Sequence, residues 1–514
     1  SYIDLVAKPF MSKDDKYGYF FYDMNAKINH KFNDKHRLFL SFYNGRDQLD
    51  VKTRGADDHS AYKWEDKTKL NWGNLTTALK WNYIISPKLF SNTTVAYTKY
   101  RFGLETSNYT EDGDKDKDIN YIDDYSSKYK SGIKDWTYNI DFDYHPTPRH
   151  HLKFGAGYLY HTFTPEILTS KIRREDMGVV QDTMYNTQSN SELYAHEGSV
   201  YLEDNFRIGS RFNMNAGLHA SLFSIQNKSY FSLQPRLSAR YQITDDISVK
   251  ASYTKMKQYI HLLSSYTILM PTDLWVPVTK HIKPMEAHQY SLGGYYNGIK
   301  GWEFSLEGYY KDMNNVVEYK DGASFMGSSH NWEEKVEMGK GRSYGIELMA
   351  HKTIGKTTGW IAYTWAKSER RFSEHGINAG RWFPYKYDRR HNVNVTMTHK
   401  FSDRIDIGAS WAFYTGGTTT IAGQKTFIIR PDGESDGHTY GAGSGVWVIS
   451  YPMSIFGPIV ETDYVESRNN YRMPCTHHLN IGINFHKKTK HGVRTWNISI
   501  YNLYNAMNPA FVYR

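Results

Sequence analysis

Acidic residues recur at alternate positions in Asp112-Gly113-Asp114-Lys115-Asp116-Lys117-Asp118, with Asp123 further on. Carboxylate oxygens spaced this way can wrap a hard cation such as calcium. Lys117 stands where calcium loops carry glycine, and the twelfth position is Asp rather than Glu. Interleaved lysines can also neutralise the carboxylates, which leaves a solvated loop as the competing reading. Calcium through Asp112, Asp114, Asp116 and Asp118 is the one cofactor this chain suggests.

A second constellation is Trp275-Val276-Pro277-Val278-Thr279-Lys280-His281-Ile282. It combines an aromatic, an ammonium and an imidazole, so Trp275, Lys280 and His281 can stack on or hydrogen-bond a ligand. Packing against neighbouring loops is the plainer alternative. Arg381, Trp382, Arg389 and Arg390 make a third group. Guanidinium groups attract anions such as ferric chelates or phosphates. They equally serve as partners for the chain's own carboxylates or for phosphates of its surroundings.

The 22 histidines invite a metal reading. His150-His151 and His477-His478 lie at strand starts, where neighbours point to opposite faces, so one strand cannot offer both to one ion. No ligand triplet is visible in the spacing. Cys475 is the single cysteine, which excludes a disulfide within the chain and cysteine zinc sites. Gly-x-Ser-x-Gly, His-Glu-x-x-His and phosphate-cradling glycine loops are missing, so the chain does not read as an enzyme. Gly441-Ala442-Gly443-Ser444-Gly445 lacks a strand-turn-helix context and reads as a flexible tip.

The elements that must position these groups are strands. From Phe20 to Phe32, alternate positions read Phe20, Tyr22, Met24, Ala26, Ile28, His30 and Phe32 against Phe21, Asp23, Asn25, Lys27, Asn29 and Lys31. Side chains of a strand alternate between faces, so one face is apolar and the other polar. Trp136 to Tyr144, Leu75 to Tyr83, Trp302 to Tyr310 and Leu479 to Phe485 repeat this. The strands run to about ten residues or more, enough for a tilted crossing of a bilayer. Composition agrees: aromatics are 16% of residues, Tyr alone contributes 43, and mean hydropathy is -0.66. No run of 18 apolar residues predicts a helical span, and alternating barrel strands look polar on average. The charge of +9 is scattered without a basic tract, so no nucleic-acid partner is expected.

Connections alternate in length. Short turns occur at Asn33-Asp34-Lys35, Ser86-Pro87-Lys88, Pro146-Thr147-Pro148, Gly209-Ser210-Arg211, Thr244-Asp245-Asp246, Ser402-Asp403 and Lys487-Lys488-Thr489-Lys490. Long polar loops are predicted near 46–68, 105–130, 168–192, 264–283, 319–335, 374–388 and 416–471. One short link, near 227–232, lies on that side. Short periplasmic turns and long external loops are the layout of outer-membrane barrels. The pattern predicts an all-β fold, an antiparallel transmembrane β-barrel with about 18 strands present. A first strand heading inward and a last strand heading outward leave unpaired edges. The expectation is therefore an incomplete barrel over 1–514, from a protein of about 22 strands, with first strands and a last strand outside it.

Four motifs carry a family resemblance. Leu233-Gln234-Pro235-Arg236-Leu237-Ser238-Ala239-Arg240-Tyr241, followed by Val249-Lys250-Ala251-Ser252-Tyr253, is similar to a "PR-L-RY" strand. Gly341-Arg342-Ser343-Tyr344-Gly345-Ile346-Glu347-Leu348 resembles "G-Y-GIEL". Tyr385-Lys386-Tyr387-Asp388-Arg389-Arg390-His391 resembles "Y-YDRRH", and Asn497 to Asn505 an "NlfN" penultimate strand. Together they resemble TonB-dependent outer-membrane receptors, particularly those of Bacteroidetes and the smaller siderophore- or vitamin-type members. The resemblance implies import of a scarce nutrient: siderophore iron, haem, a vitamin or similar. It also implies a partner TonB-ExbB-ExbD complex acting through a plug not present in this sequence. A surface lipoprotein and outer-membrane lipids, including lipopolysaccharide, are further expected partners. A passive porin and an oligosaccharide or peptide importer are the alternatives. A rim hydrolase needs a nucleophile and base, and a propeller needs a repeat of about 40–50 residues; neither is found.

Overall fold

The computed structural model describes residues 16–56, 62–114, 119–176, 179–187, 192–263, 274–321, 323, 332–429, 459–490 and 492–509. Among them, one antiparallel sheet holds twenty strands. Two are short returns, Val179–Thr187 and Phe383–Pro384. The other eighteen follow one another in sequence order. They are β1 Lys16–Lys31, β2 His36–Ala56, β3 Lys63–Ser86, β4 Leu89–Asp114, β5 Ile119–Thr147, β6 His150–Asp176, β7 Leu193–Ile208, β8 Phe212–Ile225 and β9 Lys228–Gln242. They continue as β10 Ile247–Gln258, β11 Met285–Tyr296, β12 Trp302–Tyr319, β13 Val336–Lys352, β14 Thr357–Arg371, β15 His391–Lys400, β16 Ile405–Tyr414, β17 Thr476–Thr489 and β18 Gly492–Ile500. Each pairs antiparallel with the next.

The register aligns the apolar face from strand to strand. Ile28, Leu40, Leu79, Val95, Tyr138 and Tyr158 form a directly paired row across β1–β6. Each is between 42% and 66% exposed. A belt of large apolar side chains this continuous has a non-aqueous neighbour, the lipid of a membrane. Aromatic rings gather towards the short-turn end, where His36, Trp81 and Tyr83 stack and Phe142 lies 5.0 Å from Phe154. The opposite face is polar: Tyr201 donates to Asp141 at 2.7 Å and Ser252 meets Ser291 at 2.7 Å.

Short turns share one end, as their sequences predict, and two more join them at Asn297–Gly301 and Thr353–Lys356. Glycine is needed at Gly301 and Gly355, with φ of 77° and 105°. The short link on the other side is a two-residue hairpin, with Gln226 and Asn227 both left-handed at φ 49° and 63°.

The long loops are shorter than their polarity predicts. Residues 46–56 and 63–68 continue β2 and β3, 105–114 and 119–130 continue β4 and β5, and Val179–Thr187 folds back on β6. Strands of 21 to 29 residues overshoot the membrane, and beyond it their outer face meets water instead of lipid, so the alternation is no longer required. Cross-strand ion pairs carry the register there, including Lys52–Glu65 at 2.5 Å, Lys128–Glu105 at 2.5 Å and Arg174–Asp123 at 3.4 Å.

Candidate ligand-capture site at the outer mouth

Beyond the apolar belt, the inner face of β3–β5 turns apolar. Leu70, Phe102, Leu104 and Tyr129 are buried there. They share one core with Val317 and Tyr319 of β12, Trp332, and Val336 of β13. These walls are not neighbours in the sheet, so the sheet curls to bring them together. The hairpin Ile260–Leu263 with Leu274–Pro277 lies between them and contributes Leu263, Leu274 and Val276. It contacts β5, β6 and β12, and so forms a roof across the lumen.

Beyond the hairpin, Val278 joins Phe163, Phe223 and Tyr259 in a second core. Tyr230 Oη donates to the Thr279 carbonyl at 2.7 Å, and the Thr279 hydroxyl accepts the amides of His281 and Ile282. This tight turn holds Lys280 and His281 exposed at its tip, while Trp275 is also partly open to solvent. The Lys280 amide reaches Gln226 Oε1 at 3.4 Å. The three residues thus sit on one docked segment.

The arginine group divides. Phe383 is buried against Val316, Phe372 and Ile377, and Glu337 ties that loop down by accepting from Ser373 and Ile377. Burial acts to raise the Glu337 carboxyl, but those hydrogen bonds outweigh it and hold it below the usual range. Arg381 is exposed and donates to the Glu466 carbonyl at 3.0 Å. Trp382 lies under Arg342, 4.2 Å from guanidinium to ring centroid. Arg342 shares the lipid-side face with Ile346 and Leu348. Arg389 is exposed, 4.3 Å over the Tyr414 ring. Arg390 is 3.4 Å from the buried Asp388 carboxylate, which also accepts from Arg472 and the Ser368 amide. Asp112 and Asp114 belong to β4, while Asp116 and Asp118 lie outside the described residues.

Sequence reading misses the network beneath these groups. Glu318 takes Arg370 at 2.8 Å and Arg468 at 3.7 Å. Arg468 also donates to the Tyr319 carbonyl. No local spacing signals it, because its members come from three distant segments.

A family model described as "TonB dependent receptor-like, beta-barrel" matches residues 10–503. The protein belongs to that family. No curated relative matches its sequence. Solved structures share the fold. The chain is similar to the ferric-catecholate import receptor Fiu from E. coli K12 at TM-score 0.53 and 11% identity, over 96% of this chain and 77% of that one. Similarity to the pyoverdine outer membrane receptor FpvA from Pseudomonas aeruginosa PAO1 gives 0.52 and 11%, over 95% and 73%. The outer membrane transporter YddB from Escherichia coli gives 0.51 and 10%, over 96% and 72%. This TonB-dependent receptor is accordingly an outer-membrane barrel of a transporter family. The glycine of its GIEL motif has a physical reason: a Cβ on Gly345 would stand 2.5 Å from the Trp365 carbonyl oxygen and 2.9 Å from the Tyr309 ring paired across from it. Its YDRRH motif places Asp388 as the buried acceptor that locks the mouth of the receptor.

Proposed function

We propose that this TonB-dependent receptor captures a scarce anionic nutrient of the ferric-chelate class at its outer mouth and passes it inward under TonB control. The observation that carries the reading is the set of exposed groups held on packed segments: Trp275, Lys280 and His281 on the docked roof, Arg381 and Arg389 on the mouth loops. Cations beside aromatic faces suit a bulky, delocalised anion. The names of the similar receptors, one for ferric catecholate and one for pyoverdine, favour the same class. TonB would act through a plug; a surface lipoprotein partner rests on the motif resemblance to Bacteroidetes receptors. Lys340, Arg342 and Lys367 stand on the lipid-side face just beyond the apolar belt; Glu369 already pairs with Arg342 at 2.9 Å and Lys367 at 2.7 Å, so the exposed Lys340 best suits lipopolysaccharide phosphates. Calcium at Asp112–Asp118 would rigidify an external tip.

The test is uptake of radiolabelled ferric chelates by cells expressing the full-length gene. Import that stops with a protonophore, and that falls in the Lys280→Ala, Arg389→Ala double variant, supports the reading. Uptake that continues without proton motive force makes the barrel a passive channel.

A further inference from the structure

We infer that the periplasmic end of the β5–β6 hairpin is a binding site for a borderline divalent metal ion of the zinc type. Its donors are Asp143, His145 and His151. His145 Nε2 lies 2.9 Å and His151 Nε2 2.8 Å from the same oxygen, Asp143 Oδ1. One potential donor atom from each residue lies within 4.8 Å of the others. The two imidazoles stack with centroids 4.0 Å apart and planes at 17°.

The hairpin's backbone explains how the donors meet. Asp143 and His145 are two apart on one strand and share a face. That face is the lumen side, because Phe142 and Phe154 stack on the other. The ladder passes from Tyr144–Leu152 to Thr147–His150, so His145 and Pro146 stand opposite His151 alone. This bulge falls at a proline, which has no amide to give the ladder, and it re-aims His145 at His151 across the strands. His150 faces away, stacked on Phe206 and bonded to Asp204 Oδ2 at 2.7 Å. A search for ligands along one strand therefore finds nothing. The triplet Asp143-x-His145-x5-His151 exists only once the turn folds.

Two imidazoles and one carboxylate are the donor set that suits zinc, and three protein ligands leave a coordination position open. Tetrahedral ligands at about 2.0 Å from zinc stand roughly 3.3 Å apart, so side-chain rotation closes the present group around an ion. His145 and His151 also line a cavity of about 510 Å³, shared with Lys88, Arg149 and Arg207. An ion held by His145 and His151 would border that cavity, whose cations favour water or a small anion as the fourth ligand. Among the described residues this is the one group of three or more His, Cys, Asp or Glu side chains close enough to hold an ion. The site belongs to one hairpin and stands whether or not the import reading holds.

The test is zinc titration of the chelator-treated receptor in detergent, followed by calorimetry, with cobalt as a spectroscopic stand-in. One ion per chain is expected, with a tetrahedral cobalt spectrum. His145→Ala with His151→Ala should abolish it, and Asp143→Asn should weaken it about tenfold or more. His477→Ala should leave it unchanged. Heat-modifiable mobility reports whether each variant is folded. In the unmodified receptor, zinc should protect His145 and His151, but not His477, from diethyl pyrocarbonate, which decides the matter even if the variants misfold. Absence of stoichiometric zinc, or equal protection of all three histidines, overturns the site.

Discussion

The guanidinium of Arg370 on β14 lies 2.8 Å from the Glu318 carboxylate on β12, and both side chains are largely withdrawn from solvent. Arg370 also lies 3.7 Å over the Tyr385 ring and donates to the Val317 carbonyl. Removing one partner of such a pair strands the other charge, at a cost of about 3–5 kcal/mol. The loss falls on the mouth, because the membrane strands do not depend on it. Glu318→Ala is therefore expected to expose residues 372–390 and 464–472 to trypsin while heat-modifiable mobility stays normal. A digestion pattern equal to the parent's would show that the pair does not hold the loops.

The roof hairpin rests on apolar packing. Leu263 and Leu274 are fully buried or nearly so between walls that the sheet itself does not join. Truncating a buried leucine costs about 2–5 kcal/mol. That is enough to undock a short hairpin held by three such side chains. Leu274→Ala is expected to raise hydrogen exchange across 260–263 and 274–278. Unaltered exchange there would place the roof's stability elsewhere.

Strands and their end-to-end polarity were legible in sequence because membrane and lumen impose a period of two on every crossing. Phe20 to Phe32 and Trp302 to Tyr310 announce themselves. Where the strands leave the membrane, that pressure ends, and Lys52, Glu65, Glu105 and Lys128 read as loop although they pair as strand. The mouth was legible only as residue types. Lys280, His281 and Arg389 are exposed, yet Trp382 and Arg390 are engaged by Arg342 and Asp388. Partners this far apart in the chain, like His145 and His151 across a bulge, follow from register rather than from spacing.

His261, in the roof hairpin outside the membrane strands, is buried and bonded to the Lys283 carbonyl at 3.1 Å. Burial pushes its imidazole down to about 4; that bond opposes the shift, and the nearby Arg370 charge adds to it. The docked hairpin thus prefers neutral His261, whereas an undocked one protonates near 6.5. Docking is complete above pH 6.5 and weakens as pH falls from there towards 4, by on the order of 3 kcal/mol. Pepsin should cut the hairpin at pH 4 far faster than a pH 7 protease of matched specificity does. His261→Gln, which keeps a donor but cannot charge, should remove the difference. A parent hairpin equally protected at both pH values would refute the linkage.

Leu306 on β12 points to the same side as Leu348, its direct partner on β13, and the two are 53% and 44% exposed. Four residues from the periplasmic start of its strand, it belongs near the middle of the lipid layer. An arginine at that depth costs about 2–4 kcal/mol, because its charge loses water and gains no partner. Ser305, one residue earlier, points to the lumen, where an arginine stays hydrated. Leu306→Arg should lower the urea midpoint of the receptor refolded in phospholipid vesicles, and Ser305→Arg should leave it near the parent value. Position alone separates the two substitutions, since the new side chain is identical. If Ser305→Arg proved the more damaging, the faces would be reversed and the lipid belt from Ile28 to Tyr158 would have to line the pore instead.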